Sequence, residues 1–393
     1  MNFKDSTLNS YFFLIAGNLS LLIVQSMFVF SPFFDFFIPK SAFPLILSFN
    51  CGGLVSLVVA TSVGEKYSKV HSITFLSALM LASYFGMFLV SIFFNTHELA
   101  FYLLIVFGGI SGFSTSWRRS ILTAIAAEIS PSSIKNANLG AAIGGVLINI
   151  YCSVLAKIFV INPKDVDPIN NTNMYIMQFY WFTGFIITCF IVFFVVFALW
   201  YHTAPKYNDL SIEIVLPADP KETKDPHIIM RSSDINMGIF MVTVVTTNLT
   251  AFWIYTSWKK FNINESYPVA LYLFGFNICD VIAKSVPVEY LVSNINIGHI
   301  ISFVRISIVA YFLMIVYTDV PAIVSGPMVR FFISMIGGIT NGYMLNSFMC
   351  MSRTRFLLQT QKSRAAFYNV FFLLFGAMAA SALGVMLPYD PSK

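Results

Sequence analysis

With 57% hydrophobic and 10% charged residues over 393 positions, and a mean hydropathy of +0.77, the chain has too little polar surface to cover a soluble globule. Its solvent is therefore lipid, which excludes water-soluble enzymes and nucleic-acid-binding modules. The net charge of +5 reads as a bias of loop lysines and arginines toward one leaflet, not as a nucleic-acid footprint.

A bilayer-spanning helix needs about 20 mostly apolar residues, because backbone groups in hydrocarbon must be paired within the chain. Eleven such blocks occur. The first six are predicted at residues 11–30, 43–63, 73–94, 99–119, 139–160 and 177–201. The first is followed by Ser31-Pro32-Phe33 and not by a small-residue cleavage site, so it is expected to be retained. Residues 202–236 then break the pattern, with Asp, Glu, Lys and Pro collected in Pro217-Ala218-Asp219-Pro220-Lys221-Glu222. Five more blocks follow at 237–258, 269–288, 298–317, 328–351 and 365–387. The organisation expected is a six-helix half (1–201), a cytosolic linker (202–236) and a five-helix half (237–393), all α, with no soluble domain.

Lys and Arg in short loops set the orientation of such a chain. With the N-terminus inside, twelve of them (among them Lys66, Lys69, Lys135, Arg353 and Arg355) fall on the cytosolic side and six outside. This favours a cytosolic N-terminus and an external C-terminus, with the plasma membrane as the expected location. The sequons Asn170-Asn171-Thr172 and Asn264-Glu265-Ser266 then both lie in external loops. The five cysteines sit in apolar segments without CxxC spacing, so neither a disulfide framework nor a metal site is expected.

Charges inside a span cost desolvation energy and therefore mark function or a structural clamp. Asp280 and Lys284 stand at i and i+4 on one face in the middle of the eighth block. The pair either neutralises itself as an interhelical clamp or faces a watered cavity or a third partner. Arg305, central in the ninth block, is expected to approach Asp280 from the neighbouring helix and complete a three-charge network. Arg118 and Arg119 follow about 19 residues of helix from Leu99, which places them at the cytosolic end of the fourth span, or else as cavity-facing gate residues. Lys157, Glu128 and Glu289 read as rim residues. Asn341-Gly342-Tyr343 puts a small residue between two polar ones, allowing close helix approach with an amide pointing inward.

Phe276 to Lys284, in Phe276-Asn277-Ile278-Cys279-Asp280-Val281-Ile282-Ala283-Lys284, resembles the FNxxDxxGR signature of the equilibrative nucleoside transporters. The resemblance extends to the Arg about 20 residues on, at Arg305, to Asn341-Gly342-Tyr343, and to the six-plus-five layout with a long loop after the sixth span. It implies a major-facilitator-like helical bundle with a cavity between its halves, in which Asp280 and Lys284 lie close to the sugar of a nucleoside. Lys284 stands where the family has Arg, Ala283 where it has Gly, and Ile23-Val24-Gln25 where it has Pro-Trp-Asn. Lys keeps the charge but not the planar fork, and Gln25 keeps an amide. The candidate substrate-binding set is Asp280, Lys284, Gln25, Asn277, Arg305 and Asn341, with Ser114 or Ser116 nearest to the family's polar residue of the fourth helix.

The function expected is alternating-access transport of nucleosides and/or nucleobases by a monomer in the lipid bilayer, through facilitated diffusion without a cofactor. No Gly-x-x-x-x-Gly-Lys-Ser/Thr loop for ATP occurs, and the basic neighbours of Asp280 make it a poor proton carrier. The alternatives are another small solute on the same fold, or proton-coupled nucleoside transport. An enzyme is not expected, because His71, His97, His202 and His227 fall in loops or at rims and His299 begins a helix.

Overall fold

The chain folds as a stack of helices in the order its apolar blocks predict. The computed structural model describes residues 3–38, 41–63, 69–94, 98–159, 168–203, 228–260, 266–317, 321–356 and 358–386. The first half holds α1 (Phe3–Val29), a short α2 (Ser31–Phe37), α3 (Ala42–Val63), α4 (Lys69–Phe93), α5 (Leu99–Ile129), α6 (Pro131–Ile158) and α7 (Pro168–Thr203). The second holds α8 (Ile228–Lys260), α9 (Ser266–Ser285), α10 (Ile295–Val304), α11 (Ile306–Tyr317), a one-turn α12 (Ala322–Ser325), α13 (Pro327–Thr354) and α14 (Gln359–Met386).

Counting α10 and α11 as one span, eleven rods result, in a six-plus-five arrangement. The turn at Arg305 between α10 and α11 keeps the ladder going, with Arg305 N–H donating to Ile301 O (3.1 Å) and Ile308 N–H to Arg305 O (3.0 Å). Among the described residues, eight helices are long and apolar enough to cross a membrane. Neither α9 nor α13 is among those eight, and these two carry the polar residues discussed below. Large apolar side chains such as Trp181, Ile191 and Val195 on α7 and Ile300 and Phe303 on α10 are exposed, as lipid-facing surfaces require.

Most helices run past their apolar blocks. The clearest case is α5, predicted to stop at Arg119 but continuing to Ile129, where an extended Ser130 separates it from α6. The boundary is set by local chemistry: Ser130 Oγ accepts from Ser133 N–H (3.0 Å), and Pro131 occupies the first helical position, where its missing N–H costs nothing. At 31 residues α5 is about 46 Å long, well beyond the ~30 Å of a hydrocarbon core. Arg118 and Arg119 thus lie about two thirds of the way along it, about 30 Å from Leu99, with the helix running on beyond them.

The sequon Asn170-Asn171-Thr172, predicted in a loop, lies in the first turn of α7. The other sequon begins outside the described residues, as does most of the 202–236 linker. The ends of α7 and α8 that this linker joins mark one end of the bundle, called the linker end below.

Close packing depends on small residues. A Cβ at Gly112 of α5 would overlap the Phe49 backbone of α3, so glycine there lets the two helices touch backbone to backbone. Between the halves, α6 packs on α9 and α13, while α3 and α5 pack on α14.

Candidate functional site

One face of α9 carries Asn277, Asp280 and Lys284 at i, i+3 and i+7, and this face is buried although it is the most polar in the span. Lys284 Nζ lies 2.6 Å from Asp280 Oδ2, with both side chains 3% exposed, so the i,i+4 pair forms as the spacing predicts. Because α9 ends at Ser285, Lys284 sits in its last turn and not at the middle of a span. The second carboxylate oxygen, Oδ1, accepts from Asn341 Nδ2 of α13 at 2.8 Å. Both oxygens of Asp280 are therefore committed.

Arg305 joins this pair through neutral groups, not through a direct ion pair. Its Nη2 donates to Thr246 Oγ1 of α8 (2.8 Å), whose single proton has Asn341 Oδ1 (2.8 Å) and Val242 O (2.9 Å) as acceptors. Asn341 then donates to Asp280, so with the Thr246 proton on Asn341 the bonds run from the guanidinium to the carboxylate and polarise one another. Arg305 Nε donates to Thr340 Oγ1 (3.0 Å) and Nη1 to Val242 O (3.1 Å). The guanidinium is 2% exposed, and its three nitrogens are all used. The expected three-charge network exists, with a relay in place of its third contact.

The relay needs α13 against α9. A Cβ at Gly342 would stand 2.6 Å from Asp280 O and 2.8 Å from its Oδ1, and one at Gly338, a turn earlier, would overlap Phe276 O. The small residue of Asn341-Gly342-Tyr343 thus permits the approach that the sequence implied.

A second group is the reverse: polar atoms buried without partners. Asn277 is 2% exposed and its Nδ2 has no hydrogen-bond partner, while Gln25 Oε1, Asn18 Oδ1 and Asn149 Oδ1 are likewise unpaired. Asn18, Asn149 and Asn277 surround the Gly144-Gly145 backbone of α6: Asn149 Nδ2 donates to Gly145 O (2.8 Å), and Cβ atoms at 144 and 145 would meet Asn18 and Asn277. Gln25 lies seven residues beyond Asn18 on the same face of α1. A buried unsatisfied amide costs about 1–3 kcal/mol, so the three such atoms around the Gly144-Gly145 junction, with Gln25 about two turns along α1, are the polar groups best placed to meet a polar solute. Asn18 and Asn149 were missed in the sequence; an Asn inside an apolar block was the available signal.

Arg118 is fully buried, stacks its guanidinium 4.4 Å from the Phe193 ring centroid, and reaches Ser20 Oγ and Ala16 O at 3.4 Å. It ties α5 to α1 and α7. Ser114 and Ser116 are buried, and Ser114 Oγ is spent on Ile110 O and Ser111 O of its own helix.

The halves are bridged toward both ends of the bundle. At the linker end the halves are latched: Arg353 Nε of α13 donates to Ala127 O near the end of α5 (2.7 Å), and Asn138 Nδ2 of α6 donates to Asn346 Oδ1 of α13 (3.0 Å). Toward the other end Asn50 Nδ2 of α3 donates to Ser381 Oγ of α14 (2.8 Å), and Asn50 lines, with Val24, Met27, Phe49, Thr247 and Ala377, a small cavity of about 50 Å³ between the halves.

No protein-family model matches the sequence, and no curated protein matches it either. Solved structures do match in fold. A bacterial homologue of the iron transporter ferroportin, in an outward-facing state with soaked iron, superposes with a TM-score of 0.61 at 10% identity over 97% of this chain and 92% of its own. The proton:xylose symporter XylE of the major facilitator superfamily, bound to 6-bromo-6-deoxy-D-glucose, gives 0.59 at 11% identity over 98% and 88%. The fucose:proton symporter FucP of E. coli gives 0.51 at 13% identity over 97% and 90%. The architecture is an all-helical membrane fold of the major facilitator type.

Proposed function

We propose that this chain carries nucleosides and/or nucleobases across a bilayer by alternating access, as facilitated diffusion through a monomer. The observation that supports this most is the placement of the signature-like stretch: Asn277, Asp280 and Lys284 lie on the buried face of α9 that packs against α6, beside unpaired amides of α1 and α6. A planar, polar, uncharged solute with several donors and acceptors is the chemistry that such amides accept. The contacts between the halves, Arg353 to Ala127 and Asn138 to Asn346 at the linker end and Asn50 to Ser381 toward the other, are those that a rocking cycle would break and remake. The N-terminus is cytosolic in this reading, and the plasma membrane is the membrane proposed.

Asp280 and Lys284 enter this reading as the clamp that fixes α9 against α13, since both carboxylate oxygens and the ammonium are already engaged. A proton-coupling role for Asp280 would have to break that contact, which favours facilitated diffusion over symport.

The test is uptake by a transport-null host expressing the chain, with labelled adenosine, inosine, uridine, adenine and hypoxanthine beside xylose, fucose and iron(II). Saturable uptake of nucleosides or nucleobases, unchanged when the proton gradient is collapsed, is expected. Uptake confined to a sugar or to iron would replace this reading by another solute on the same fold.

A further inference from the structure

The cation most available to a solute is one that the signature-like stretch does not contain. Lys284 is held by Asp280, Arg305 by Thr340, Val242 and Thr246, and Arg118 by Ser20, Ala16 and the Phe193 ring. Among the described residues, no hydrogen bond or ion pair engages the guanidinium of Arg119, although the side chain lies deep in the bundle and keeps part of its surface accessible. Its five N–H donors are free.

The direction it faces follows from the helix. Arg119, Thr123 and Ala127 stand at i, i+4 and i+8, which is one stripe of α5. Thr123 and Ala127 line a pocket with Met349, Ser352 and Asn369 of the other half, and Ala127 O takes the Arg353 latch, so the stripe looks across the interface between halves. The Asp280 carboxylate of α9 is the charge that bears on Arg119 there, without a direct contact between the two. Arg119 thus projects from the first half toward the interface between the halves, where the proposed solute site also lies.

A guanidinium presents two parallel donors and is met best by two adjacent acceptors. In a 6-oxopurine, O6 and N7 form such an edge; in a 6-aminopurine, N7 is an acceptor but the 6-amino group is a donor and opposes the fork. A carboxamide, with one donor and one acceptor, has the reverse preference.

We propose that Arg119 is a solute-binding residue that selects edges with two adjacent acceptors, so that the transporter prefers 6-oxopurines and their nucleosides to 6-aminopurines. This rests on the nucleoside and nucleobase reading above and names its substrate class.

The experiment is paired competition uptake of hypoxanthine against adenine and of inosine against adenosine, in cells expressing the parent, Arg119→Lys or Arg119→Gln, each normalised to surface amount. The parent should favour the oxopurine member by about tenfold or more. Arg119→Lys, which keeps the charge and loses the fork, should lose most of that preference, and Arg119→Gln should reverse it. A residue that merely balanced Asp280 would leave the ratio unmoved in Arg119→Lys, and that result overturns the proposal, as does a parent that prefers aminopurines. Should Arg119→Gln fail to reach the surface, the Lys variant alone decides through the same ratio. A parent that takes up no purine in either form instead overturns the nucleoside reading, and the assignment of Arg119 falls with it.

Discussion

Asp280→Asn is expected to destabilise the protein by about 3–5 kcal/mol, the cost of leaving a buried charge without its partner. The substitution removes the negative charge but not the shape, and strands two cations: Lys284, 2.6 Å from the lost carboxylate, and Arg305, which reaches it through Thr246 and Asn341. The detergent-solubilised variant should unfold at a much lower temperature and reach the membrane in smaller amount. Because the penalty belongs to the stranded ammonium as much as to the missing carboxylate, Asp280→Asn combined with Lys284→Met should recover part of the loss. Normal thermal stability and uptake in the single variant would show that the carboxylate compensates nothing.

Gly342→Val should be nearly as damaging for a different reason. Its Cβ would stand 2.6 Å from Asp280 O and 3.0 Å from Ala283 Cβ, and all three neighbours are helix backbone or short side chains that cannot swing aside. α13 would have to move off α9, breaking the Asn341–Asp280 contact that holds the relay. Overpacking of a tight core costs about 1–3 kcal/mol before the lost hydrogen bonds are added. Gly184→Val is the matched control, since a Cβ there meets nothing within 4 Å. Surface expression and uptake should fall sharply in the first and stay at the parent level in the second; equal behaviour of the two would contradict the packing account.

The span count and the Asp280–Lys284 pair were legible because both follow from spacing alone: about 20 apolar residues per rod, and four residues per helical near-neighbour. Gly342 was legible for a related reason, a small residue flanked by polar ones inside a span. The extent of α5 was not, because an apolar block marks where a chain can sit in hydrocarbon and not where its helix ends, and α5 continues for ten residues beyond Arg119. Arg305 was assigned to the right neighbourhood with the wrong contact. Its link to Asp280 runs through Thr246 and Asn341, and a threonine in an apolar helix gives no sign in one dimension of which helix it will face. Asn18 and Asn149 acquire meaning only when α6 brings its Gly144-Gly145 backbone between them and Asn277.

The proposal of a nucleoside or nucleobase carrier is tested most directly by counterflow in proteoliposomes holding the purified chain. Vesicles preloaded with unlabelled inosine or hypoxanthine should accumulate the labelled compound transiently and several-fold faster than empty vesicles, with equal pH on both sides, because a rocking carrier returns faster loaded than empty. Exchange of no nucleoside or nucleobase, under conditions where the same vesicles retain folded protein, would contradict it.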